Sequence, residues 1–112
     1  LHDIGIHQAQ RKYGSSAGTY QEIEGPPIAE KILKRYDIAY ETIEHISRII
    51  ANHHSAKDID TIEFRIVWDA DWLVNMAEDT DKIGKDKLIK MINKTFKTAR
   101  GKQMALEIYA KG

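Results

Sequence analysis

The stretch "AYETIEHISRIIANHH" sets Ile43, Ile46, Ile49, Ile50 and His53 three or four residues apart, the repeat of a single helix face. A stripe of that kind must be buried against other elements. No segment of the chain shows the period-two alternation of a half-buried strand. The other apolar residues keep the helical period. "GPPIAEKILKRYD" starts a helix with Pro26 or Pro27 in its first turn, where a missing N–H costs nothing, and Ile28, Ile32 and Leu33 form its narrow stripe. "TIEFRIVWDADWLVNMA" is apolar nearly all round, which predicts a helix buried in the middle of a domain, opened by Asp60 and Glu63 as a capping box. Residues 86–96 and 99–110 give two more amphipathic helices, with Thr98 as N-cap of the last. Residues 14–25, "GSSAGTYQEIEG", carry three Gly and two Ser and are expected to form the one long loop. The fold class is therefore all-α: a compact multi-helix domain over residues 1–112.

That length suits one domain with a real core. Lys plus Arg and Asp plus Glu both number 17, and the zero balance argues against nucleic-acid binding as the main activity. No apolar run approaches the roughly 20 residues of a membrane span. Cys is absent, so any metal must be held by His, Asp and Glu, and a reducing cytoplasm is the expected setting. The chain opens on Leu1 rather than Met, which suggests that an N-terminal part is missing.

Three polar clusters interrupt otherwise apolar segments: His2 with Asp3, His53 with His54, and Asp69 with Asp71. A carboxylate in an apolar helix is costly unless something neutralises it. Taken singly, each cluster is better explained by a buried salt bridge, a helix cap or simple exposure. Taken together, they offer imidazole and carboxylate from three separate segments, and one divalent cation (Mn, Fe, Zn, Mg, Co or Ni) would satisfy all of them. Asp69 and Asp71 lie about 200° apart around a helix, so only one can face such an ion directly; the other becomes a capping or supporting group. Periodicity does not choose between them, because both faces are apolar.

"LHDIGIH", "IIANHHS" and "VWDADWL", in that order on an all-α chain, resemble the HD-domain superfamily of metal-dependent phosphohydrolases over residues 1 to about 76. The resemblance implies an HD-type helical fold whose ligands are an upstream His, the His-Asp doublet and a distal Asp in an "AD-x-L" context. His2 and Asp3 match the doublet and Asp71 matches the distal Asp, which leaves Asp69 in support. The upstream His would lie on a first helix before Leu1. Members with two metals carry a His just ahead of the "GPPIAEKIL" helix, where this chain has Gly25, so the resemblance favours one metal, although His53 and His54 resemble ligands that often serve a second. The cyclic-dinucleotide branch would have Lys at Ile6 and a "GYP" loop in place of "SAKDID". The guanosine-tetraphosphate hydrolase branch would have an acidic pair where this chain has "IGIHQ".

The implied function is hydrolysis of a small phosphorylated substrate, a phosphomonoester or phosphodiester such as a nucleotide. His2, Asp3, His53, His54 and Asp71 are the expected metal ligands, Asp3 and His54 the catalytic groups, and Lys12 a counter-charge for phosphate. A non-catalytic sensing domain and a di-iron oxygenase on the same fold are the alternatives. His7, His45, Trp68 and Trp72 are more simply a polar cap, a surface residue and two core aromatics.

Overall fold

The structure, a computed structural model, describes residues 1–78 and 80–110. Among them there is no strand, and the chain is all-α, with α1 over Ile6–Tyr13, α2 over Gly18–Leu33, α3 over Tyr40–Asn52, α4 over Ile62–Asn75, α5 over Lys85–Thr95 and α6 over Ala99–Ala105. A π-helical turn, Leu106–Ala110, follows α6 directly. The chain forms two compact units, residues 1–60 and 61–112. No helix among the described residues is long and apolar enough to cross a membrane.

In the first unit α2 packs on both α1 and α3. Ala9, Ala29, Leu33, Ile43, Ile49, Ile50 and Ile59 are its buried apolar side chains, so the α3 stripe faces inward as its spacing predicts. The loop expected over 14–25 is confined to 14–17: α2 begins at Gly18, and Pro26 and Pro27 lie inside it instead of at its start. Proline holds φ near the helical value, so the prolines fit the helix; their cost is the lost donors to the carbonyls of Glu22 and Ile23. Ile23 and Pro27 are exposed, and water reaches this face. Residues 1–5 form two overlapping turns, with Ile4 N bonded to Leu1 O at 3.0 Å and Ile6 N to Asp3 O at 3.1 Å. Those turns lie against α2 through two glycines. A Cβ on Gly5 would sit 2.7 Å from Gly25 N and 2.8 Å from Gln21 O, and one on Gly25 would sit 2.7 Å from Ile50 Cγ2. Gly25, the position at which a second-metal His was considered, has no room for any side chain.

In the second unit Met76, Leu88, Ile92, Phe96 and Ala105 form the core, with Trp72, Leu73 and Tyr109 packed against it. Helix α4 starts one residue later than the expected capping box: Thr61 is the N-cap, and its side chain accepts from Phe64 N. Nor is α4 buried all round. Phe64 and Asp69 are its buried residues, while Ile62, Ile66 and Val74 are exposed. Its outer stripe opens onto an apolar cleft of about 450 Å³, walled opposite by Gly101 and Met104 of α6. Trp68 donates from Nε1 to Thr95 O at 3.1 Å, and Tyr109 donates to Leu73 O at 2.6 Å, so the buried edges of both rings are satisfied.

Candidate metal centre

Asp69 is explained without a metal. Its Oδ1 accepts from Lys97 N at 2.8 Å, and its Oδ2 accepts from Thr98 N at 2.9 Å and Thr98 Oγ1 at 2.6 Å. Thr98 Oγ1 in turn accepts from Gly101 N at 2.9 Å, the expected N-cap of α6. The buried carboxylate thus neutralises the donors at the start of a neighbouring helix, which offsets its desolvation. A side chain on Gly101 would collide with that carboxylate. Asp71, on the half-buried side of α4 in the same unit, accepts from Asn75 Nδ2 at 2.9 Å, one helical turn on.

The first unit brings two of the polar clusters together. His2 and Asp3 lie in the turns ahead of α1, and His53 and His54 in the turn that ends α3. His2 Nε2 is 3.3 Å from Asp3 Oδ2, and the His2 ring stands edge-on to His53 with centroids 5.4 Å apart. One ligand atom each from Asp3, His53 and His54 lies within 4.8 Å of the other two.

His53 is the decisive member. Its side chain is completely buried, and its Nδ1 lies 2.6 Å from Ile50 O. A carbonyl can only accept, so Nδ1 carries the proton and Nε2 of the neutral ring carries the lone pair. That Nε2 has no hydrogen-bond partner, yet it stands 3.5 Å from Asp3 Oδ1. Two acceptors face each other across a gap too long for a charge-assisted hydrogen bond, which would close to about 2.7–2.9 Å. The same gap suits two atoms sharing an ion, since donors about 2.1 Å from a cation lie about 3 to 4 Å apart. The backbone-anchored Nδ1–H is also the support that metal-ligating imidazoles ordinarily have. The donor set therefore fits a divalent cation.

The α3 exit is fixed from both sides. Asn52 Oδ1 accepts from Asp58 N at 3.1 Å, Arg48 donates to Asp58 O at 2.9 Å, and Ala56 takes the left-handed φ of 53° that turns the chain away. From α2, Glu22 Oε2 accepts from His54 N, Ser55 N and Ser55 Oγ at 3.1, 3.0 and 2.9 Å. Gln21 Oε1 meets His54 Nε2 at 3.0 Å, and the ring rests over Gly18, where a Cβ would lie 2.8 Å from His54 Cγ. Sequence reasoning missed Gly18, Gln21 and Glu22 because it assigned them to a loop. The signal present was the adjacent polar pair "QE", which on a helix offers two directions to one neighbour.

Lys12 is not a lone ammonium. Its Nζ lies 3.4 Å from Oε1 of the buried Glu24, whose Oε2 accepts from Tyr13 OH at 2.9 Å. That hydrogen bond raises the Tyr13 phenol above its ordinary value, with partial desolvation and the Glu24 charge acting the same way. Tyr13 stacks on Tyr20 with centroids 4.2 Å apart. His7 is exposed in the first turn of α1.

No protein-family model matches the chain, and no curated protein or solved structure matches it either.

Proposed function

We propose that the first unit binds one divalent cation through Asp3, His53 and His54, with His2 beside them, and that the chain is a metal-dependent phosphohydrolase. One observation carries the metal reading: a fully buried imidazole whose lone-pair nitrogen has no donor and faces a carboxylate oxygen at 3.5 Å. The hydrolase reading adds the resemblance of "LHDIGIH", "IIANHHS" and "VWDADWL" to HD-domain enzymes. A divalent cation, when bound, supplies an acidified water as nucleophile and a counter-charge for phosphoryl oxygens.

The rest falls to the chain's own residues. Ile50 O holds the His53 ring so that Nε2 points its lone pair at the site. Asp3 provides the negative charge that makes the site attractive to a cation, and His2 contacts its second oxygen. His54, exposed at the rim, completes the donor set or hands a proton to the leaving oxygen, a task suited to an imidazole near neutral pH. Lys12 shares its charge with Glu24, so it offers a phosphate less than a lone ammonium would.

The test is turnover of p-nitrophenyl phosphate and of its diester by the purified chain with added Mn. Cation-dependent hydrolysis that Asp3→Asn abolishes is expected. His54→Ala then separates its two roles: lost metal marks a ligand, whereas retained metal with lost turnover marks the proton donor. Bound metal with no turnover on either ester, before any substitution, would overturn the hydrolase reading and leave a metal-binding domain.

A further inference from the structure

His54 is anchored by a second relay that begins, like that of His53, at a backbone carbonyl. Gln21 is buried in α2, and its Nε2 donates to Ser16 O at 2.6 Å. Because that carbonyl accepts only, the Gln21 amide has one orientation, with its Oε1 turned to His54 Nε2 at 3.0 Å. An amide oxygen also accepts only, so His54 Nε2 must carry the proton and Nδ1 of the neutral ring the lone pair. His53 has the opposite arrangement, with the proton on Nδ1 fixed by Ile50 O.

We infer that Gln21 is a positioning residue that holds His54 in the Nε2–H form, so that neighbouring histidines are locked in opposite tautomers and His54 offers Nδ1, not Nε2, to an ion. The consequence for metal binding rests on the metal reading given under "Proposed function"; the tautomer itself does not. An imidazole free in water favours neither nitrogen strongly, so a ring without its relay spends part of its time with the proton on the nitrogen that should bind. A ring whose binding nitrogen is unprotonated about half of the time loses about twofold in apparent affinity. The Gly18 floor beneath the ring and the grip of Glu22 on the His54 and Ser55 amides leave the relay as the element that sets protonation instead of position.

Long-range proton–nitrogen correlation spectra of the full chain without metal, above the imidazole titration range, report each tautomer directly. His54 protonated on Nε2 and His53 on Nδ1 is the expected result. His54 protonated on Nδ1 in the unsubstituted chain overturns the inference, and that readout needs no variant to fold. In Gln21→Met, His54 should become a mixture of tautomers and the Co(II) dissociation constant should rise about twofold. An unchanged His54 spectrum in that variant also overturns it. Failure of the unsubstituted chain to bind Co(II) while its tautomers are as expected removes the metal reading and supports the tautomer assignment.

Discussion

Gly5→Ala tests whether the opening turns are held against α2 by contact alone. Gly5 has φ −81° and ψ −7°, a conformation that alanine adopts without strain. In open space this substitution would stabilise the fold by about 0.4–1 kcal/mol, since alanine loses less backbone freedom on folding. Here the new methyl would meet Gly25 N at 2.7 Å and Gln21 O at 2.8 Å, where ordinary contacts begin at 3.4 Å. Both obstacles are backbone of a packed helix, so no side chain can swing aside. The turns must retreat by roughly half an ångström, and overpacking of that kind costs about 1–3 kcal/mol, reversing the sign. Asp3 lies two residues away and moves with them, which opens the 3.5 Å gap to His53 Nε2. Urea denaturation should show a loss of about 2 kcal/mol, and a Co(II) titration a dissociation constant about tenfold higher. A variant as stable as the unsubstituted chain, or more stable, would refute the close approach of Gly5 to α2 and the placement of Asp3 that depends on it.

Asp69→Ala removes the acceptor of three hydrogen bonds from a buried site and should cost about 3–5 kcal/mol in urea denaturation, with metal binding by the first unit unchanged; a loss below about 1 kcal/mol would contradict the capping role. Because the fold raises the Tyr13 phenol, its contribution to stability is present below the ordinary phenol range and is lost as pH rises through the raised value. Glu24→Gln should return phenolate formation at Tyr13, followed by ultraviolet absorbance, toward ordinary pH, and an unmoved titration would deny the Tyr13–Glu24 bond. Gly84 is the N-cap of α5 without a side-chain acceptor and with open space around it, so Gly84→Ser should stabilise by about 0.5 kcal/mol; destabilisation in the same urea assay would contradict that cap.

The parts of the fold legible in the sequence were those governed by local period and capping. The α3 stripe, α5 and the Thr98 cap each follow from residues within one or two turns of one another. The first two turns of α2 depart from the expected loop because Gly and Ser clusters and a Pro pair signal breaks by propensity, while packing against both α1 and α3 overrides that signal. On α4, period alone could not say which apolar face meets a partner; Ile62 and Ile66 border an open cleft instead of a core. For the centre, His2, Asp3, His53 and His54 stood out as ionisable groups in apolar settings. The residues that orient them did not. Ile50 acts through its carbonyl and Gln21 through an amide whose direction depends on Ser16 O, and neither carries a signature in its identity.

Metal stoichiometry of the purified chain, by elemental analysis after dialysis against a divalent ion, tests the central claim most directly, compared with His53→Gln. About one bound ion per chain is expected from a single shared donor set, with near-complete loss in His53→Gln while its helical circular dichroism is retained. Binding that survives that substitution, or a chain that takes up no ion at all, would contradict the account.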